Sequence, residues 1–332
     1  MNEFDPCDHE ARQSLIRHHP LVTNEFTTYT PSIPKVIGIV LDAVMLHKKS
    51  MCFNALPQMG KTKILHSCVA ALEGHPDYQD RLIIKISVDP YKHENVIRNV
   101  FRTFGLEMPK IFNLDLARED VIATINGRLK LIEGRHVVLF IDEMQALKND
   151  DFECLRFLQN ELAVRNISMT VIGFAQTDIE VCLNNLRKSG RPELIIRFLN
   201  EVVAVPFCDN EEWIRLTIAP YDDVLTYPVG SQCTYTRFFL PMAYEAGFRL
   251  ANHAHEIFVA LDEERVSSSL PCIPTVCAFE VFRLILYRAH ERDSPFFTLD
   301  AKSLAKAIKE CQIAGYAANL KKASAGHANV AE

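Results

Sequence analysis

The residues most able to do chemistry lie near position 60. Ala55-Leu56-Pro57-Gln58-Met59-Gly60-Lys61-Thr62 follows a short apolar run and precedes a helical pattern. Strand, turn and helix in that order, with lysine and a hydroxyl residue closing the turn, make a phosphate-binding loop. Such a turn brings main-chain N–H groups around phosphate oxygens, and Gly60 permits the close approach. Lys61 supplies a compact positive charge for β- and γ-phosphates. The Thr62 hydroxyl can ligate Mg²⁺. The helix that starts there aims its positive dipole end at the anion. Ala55, Pro57, Gln58, Met59, Gly60, Lys61, Thr62 and Ile64 are therefore the expected ATP-binding set. Ala55 stands where the pattern usually has its first glycine. Alanine is acceptable there because a strand end need not be left-handed.

A second element supplies carboxylates. Val137–Ile141 is an apolar run that ends in Asp142 and Glu143. Asp142 at a strand tip would hold the Mg²⁺ shell. Glu143 is placed to orient or deprotonate an attacking water. For the pair alone, a helix start that favours acids is the plain alternative. The run Ser168–Phe174 leads into Ala175-Gln176-Thr177-Asp178. A polar side chain there can reach the γ-phosphate or the water, Gln176 first and Thr177 second. The alternative is a helix cap at Thr177 or Asp178. Arg197, just before the fifth apolar run, sits where oligomeric ATPases carry an arginine that reaches a neighbouring subunit's γ-phosphate. A solvated basic face or an ion pair is the other reading. Arg249, at the start of a later helix, is a candidate second sensor of the nucleotide.

These residues need a scaffold. Apolar runs fall at Ser50–Leu56, Leu82–Val88, Val137–Ile141, Ser168–Phe174 and Val202–Pro206. Helical spacing falls at Pro34–Lys48, Thr62–Leu72, His93–Phe104, Arg118–Glu133, Asp151–Val164 and Thr177–Asn185. Alternation of this kind predicts a parallel sheet, and strands apolar on both faces predict helices on both sides of it. The strand between the loop and the carboxylates places the chain in the additional-strand division of ATPases, with order 5-1-4-3-2. After Pro206 only helices are expected. The predicted organisation is an N-terminal arm (1–33), an α/β core (34–208), a small α-helical lid (209–316) and a flexible tail (317–332).

With these residues in place, the chain resembles the AAA+ P-loop ATPases. More narrowly, it is similar to the TniB/TnsC regulators of transposition. The likeness rests on the phosphate loop, Phe140-Ile-Asp-Glu-Met-Gln-Ala-Leu, Leu155-Arg-Phe-Leu-Gln-Asn-Glu-Leu, Ile167-Ser-Met-Thr-Val-Ile-Gly and Arg197-Phe198. The stretch His18–Val44 resembles the short arm those proteins carry before the loop. The resemblance spans about residues 20–210. Gln176 departs from it, since the family often has threonine there. It implies an ATP- and Mg²⁺-dependent ATPase that oligomerises as a ring or filament on double-stranded DNA. It further implies a protein that docks a TniQ-type target selector, recruits a transposase and comes apart on hydrolysis. Two alternatives stay open. One is a generic AAA+ remodelling or loading ATPase, and the other a nucleotide-stabilised scaffold with negligible turnover.

Composition narrows the field in a general way. Hydrophobic residues make up 48% and charged residues 23% of 332, which excludes disorder over most of the length. The formal charge of −6 argues against a wholly basic nucleic-acid coat, though not against a local patch. Candidate phosphate contacts are His47, Lys48, Lys49, Arg98, Arg102, Arg118, Arg128, Lys130 and Lys148, though any one of them reads more simply as a solvated charge on an amphipathic helix. His18, His19, His253 and His255 lack partners at metal spacing and read as structural. The ten cysteines form no CxxC pair and read as reduced, buried thiols. With no apolar run of bilayer length and an acidic start, a cytoplasmic protein with no membrane association is expected.

Overall fold

The computed structural model describes residues 4–26, 28–92, 94–109 and 111–328, with backbone only for 323–328. The chain divides into two compact units, Ser32–Pro206 and a discontinuous one of Met1–Pro31 with Phe207–Glu332.

In the continuous unit five parallel strands form one sheet. They are β1 (Ser50–Asn54), β2 (Arg81–Ser87), β3 (His136–Asp142), β4 (Ser168–Ala175) and β5 (Val202–Ala204), in the order β2-β3-β4-β1-β5. This is the expected 5-1-4-3-2 order. β3 is buried at every residue, and its side chains alternate between two cores. Val137, Leu139 and Ile141 join Val100, Ile125, Leu155 and Leu183 on one face. Val138 and Phe140 join Val40, Val44, Leu65 and Leu72 on the other. Period-two alternation with both faces apolar is what a sheet covered on both sides demands.

The covering helices are Ser32–Met45 and Lys61–Gly74 on one face, with Val96–Thr103, Leu114–Leu131, Asn149–Val164 and Ile179–Lys188 on the other. The helix expected from His93 starts at Val96, after Asn95, whose side chain accepts the Ile97 N–H. His93 itself lies outside the described residues. A further helix, Pro192–Phe198, was not expected and carries Arg197 in its last turn. Its signal is short, a proline at the first helical position with Glu193 in the first turn.

One close contact shapes the end of β3. A Cβ built on Gly173 of β4 would lie 1.9 Å from Met144 Sδ, and Met144 is fully buried. Gly173 therefore lets the turn after Asp142 lie flat against β4. We expect Gly173→Ala to destabilise the protein by about 1–3 kcal/mol through overpacking. Urea unfolding should show a lower midpoint at unchanged slope. A wild-type midpoint would remove this reading of the glycine.

The discontinuous unit is helical. Its core draws on Glu211–Asp223, Tyr235–Phe239, Ala254–Ser267, Thr275–Ala289 and Ala301–Glu310. Within the expected N-terminal arm the chain forms the helices His9–Ile16 and Pro20–Thr23. Leu21 is fully buried there, and His19 is boxed by the rings of Tyr227, Tyr235, Phe238 and Phe239 at 4.5–4.7 Å. Burial pushes the His19 imidazole down to about 3, so it stays neutral, and its Nδ1 accepts the Leu21 N–H. The tail expected to be flexible runs as a helix over Ile313–Ala328, with Ile313 and Ala317 buried. Alanine is the best helix former, which outweighs the small and polar look of that stretch. Residues 329–332 of that expected tail lie outside the described residues.

Candidate nucleotide-binding and hydrolysis site

Strand register assembles the site. Asn54 pairs with Ala175, Phe174 with Asp142, and Asp142 with Ser87, so four strands end along one edge. The loop after β1 leaves that edge with the Ala55 N–H donated to the Ala175 carbonyl at 3.2 Å. Gln58 and Gly60 take left-handed conformations, with φ of 58° and 80°. Ala55 does not, so it needs no glycine. Gly60 then caps the helix Lys61–Gly74.

Lys61 is buried at 6% exposure, and its Nζ donates to the Leu56 carbonyl at 3.0 Å and the Ala55 carbonyl at 3.3 Å. Desolvation lowers its pKa below the ordinary lysine value, while Glu143, Asp142 and Asp178 pull it back up. A cation held in this way among carbonyls at a helix start suits a polyanion. The Thr62 hydroxyl donates to Asp142 Oδ2 at 2.8 Å. Two hard oxygen donors sharing one point fit Mg²⁺, which usually takes only one or two protein ligands besides water and phosphate. Among the described residues, no group of three or more His, Cys, Asp or Glu side chains is arranged to hold a metal ion.

Past Asp142 the chain turns sharply. Glu143 has φ 58° and ψ 44°, and its N–H donates to Asp142 Oδ1 at 3.1 Å. Its Oε2 accepts Gln145 Nε2 at 2.5 Å and Gln176 Nε2 at 3.0 Å. The Gln176 main-chain N–H donates to Gln145 Oε1 at 3.0 Å. Glu143 and Gln176, picked independently from two strand tips, are thus in direct contact. Gln145 was missed, because residues two apart do not face each other in regular helix. The left-handed turn at Glu143 brings them together. Thr177 enters the turn before Ile179–Lys188, and the Asp178 side chain does not cap that helix.

Three expected residues lie elsewhere. Ile64 points into the apolar core at 3% exposure, and its N–H is given to the Gly60 carbonyl, so the structure takes it out of the ligand-facing set. The Arg197 carbonyl accepts the Ser50 hydroxyl at 2.5 Å, at the start of β1, whereas the phosphate loop follows the end of that strand. Its Nη1 donates to Asn160 Oδ1 at 2.7 Å. Within its own chain Arg197 is therefore on the opposite edge of the sheet from Lys61. Arg249 belongs to the discontinuous unit, where its guanidinium donates to the Tyr244 and Phe248 carbonyls and lies 3.6 Å from the Tyr244 ring centre.

Most candidate DNA-contacting cations have local work. Arg102 pairs with Glu94, Lys48 with Glu201, and Arg118 with Asp115. Arg98 stacks over Phe112 at 4.3 Å, and Arg128 lies over Phe104 at 4.5 Å. Lys49 and Lys130 are exposed. His255 bonds Glu211, and His253 stacks on Phe248. All ten cysteines are free thiols; Cys7 is exposed, Cys311 half-buried and the rest buried. No helix among the described residues is long and apolar enough to cross a membrane.

Comparison with known proteins bears on the fold. No curated protein matches the chain. The Aeropyrum pernix ORC2 protein in its ADPNP-ADP complexes is similar in structure, with TM-score 0.53 and 12% identity, over 89% of this chain and 72% of that one. The ADP form of the same protein gives TM-score 0.50 and 12% identity, over 83% and 67%. At such identities the likeness is one of fold. A family model described as an AAA domain matches residues 45–183, which hold the phosphate loop, both carboxylates and Gln176. Residues 45–183 thus match an AAA-domain model, and the chain shares the α/β fold, with a five-stranded parallel sheet, of these structural neighbours and has a helical C-terminal region.

Proposed function

We propose that the protein is an ATP-dependent, DNA-binding AAA+ regulator of transposition. The observation that carries the ATPase part is the single edge where Lys61, Thr62, Asp142, Glu143 and Gln176 meet. In this reading the loop residues Ala55 to Thr62 wrap the β- and γ-phosphates, and Lys61 offsets their charge. Thr62 and Asp142 hold Mg²⁺, which neutralises the phosphate oxygens when bound. Glu143 and Gln176 orient a water against the γ-phosphorus. The water oxygen bonds to phosphorus as the bond to the β–γ bridging oxygen breaks. ADP leaves with that electron pair, and the water proton passes to the Glu143 carboxylate and on to phosphate.

Arg197, on the far edge of its own sheet, serves a neighbouring subunit's nucleotide, so turnover requires oligomers. Arg249 is carried as the second nucleotide sensor. The partners are a second copy of the chain in a ring or filament, duplex DNA, a TniQ-type selector and a transposase. The transposition assignment rests on the sequence resemblance of residues 20–210. The test is electron microscopy of the purified protein with duplex DNA, comparing no nucleotide, ATP, a slowly hydrolysed analogue, and ATP with Lys61→Ala. Rings or filaments on DNA that need ATP and vanish in the variant are expected. A monomer that binds ATP and ignores DNA at low salt would overturn the assembly and the DNA role.

A further inference from the structure

We infer that Gln145 is a positioning residue for ATP hydrolysis, which ties Glu143 and Gln176 into one unit across the tips of β3 and β4. The inference rests on the ATPase reading above.

Gln145 is bonded at both ends of its amide. Its Oε1 accepts the main-chain N–H of Gln176 at 3.0 Å, and its Nε2 donates to Glu143 Oε2 at 2.5 Å. A carbonyl oxygen cannot donate and an NH₂ cannot accept, so flipping the amide would lose both bonds. Its orientation is set by a main-chain group of the neighbouring strand, and it passes that orientation to Glu143. Gln176 Nε2 donates to the same carboxylate oxygen at 3.0 Å, which closes a three-residue ring. A free glutamate side chain explores three torsions. Here two donors converge on one oxygen and set the direction of the other, Oε1, which is the atom left to meet a water.

The backbone supports the same arrangement. Glu143 is left-handed, which is uncommon for a residue with a side chain. Met144, buried beneath it against Gly173, keeps the turn from relaxing. Gln145 is half-buried, so its side chain adds little to the core. Its two bonds are its contribution, and both serve the carboxylate. Displacement of a catalytic group by about 1 Å can cost on the order of 100-fold in rate.

The experiment measures steady-state ATP turnover, fluorescent-nucleotide affinity and thermal unfolding for wild type, Gln145→Ala and Gln145→Glu in the full chain. Gln145→Ala should lower kcat about 10-fold, with KM, nucleotide affinity and midpoint unchanged. Gln145→Glu keeps an oxygen for the Gln176 N–H but turns an acceptor, in place of a donor, toward Glu143. Its kcat should fall at least as far, again with KM and affinity unchanged, because the bond to Glu143 is lost while the bond to Gln176 is kept. A purely structural role would move the midpoint and leave the kcat-against-KM split alone. Wild-type kcat in both variants would overturn the positioning role while leaving the ATPase reading intact. Losses of kcat and affinity in equal measure would overturn it too, as general disruption. A wild-type protein that binds ATP without turnover would overturn both readings together.

Discussion

Glu143→Gln should lower ATP turnover by about 10²–10³-fold while nucleotide affinity stays at the wild-type level. The substitution preserves shape and removes one charge. The new amide oxygen can still accept from Gln145 and Gln176, which hold the carboxylate at 2.5 Å and 3.0 Å in the wild type. The new amide nitrogen replaces the oxygen that would take the water proton. Phosphate release under single-turnover conditions measures the step directly. The same variant should hold any ATP-dependent assembly on DNA far longer than wild type, since the assembly is expected to come apart on hydrolysis. Turnover at the wild-type rate would remove Glu143 from the reaction. A wild-type protein as slow as the variant would favour the nucleotide-stabilised scaffold instead.

The second large effect belongs to Lys61. Lys61→Ala should weaken ATP binding by about 10- to 150-fold, the equivalent of one charge-assisted hydrogen bond of about 1.5–3 kcal/mol. The wild-type side chain is preorganised for this task. It is buried, its pKa is lowered by desolvation, its Nζ is held by the Leu56 carbonyl, and the charges of Glu143 and Asp142 favour its cationic form. Calorimetric titration with ATP and Mg²⁺ is the measurement, with circular dichroism to show that the helix Lys61–Gly74 persists. An affinity equal to wild type would mean that the loop is a structural turn and not a phosphate cradle.

Much of the core could be read from sequence, because its signals are local. β3 is seven residues of near-continuous apolar character closed by a carboxylate, and a covered parallel strand has no other appearance. The Ala55–Thr62 loop is a contiguous motif, so its residues and the strand and helix that flank it could be read together. Gln176 was legible as the first polar residue after a strand. What stayed hidden depends on long-range contacts or on unusual dihedrals. Gln145 matters only because Glu143 is left-handed, and no spacing rule anticipates that. The helices at His9–Ile16 and Pro20–Thr23 are too short to show periodicity, and what holds His19 is a set of aromatic rings more than 200 residues away. Ile64 was grouped with the loop by proximity in sequence, but one helical turn rotates its side chain into the core.

The aromatic box around His19 bears on the order in which the chain acquires structure during synthesis. The α/β unit is a single stretch, complete once residue 206 has emerged. Its partner is assembled from both ends of the chain, with Leu21 and His19 buried among side chains from residues 227 to 239 and beyond. The residues just before Ser32 are made ahead of the α/β unit and find their packing partners after it. Until then Leu15, Ile16, Leu21, Val22 and Phe26 have no core to enter. A nascent chain must therefore keep these apolar side chains uncovered until the α/β unit and the residues after it have been made.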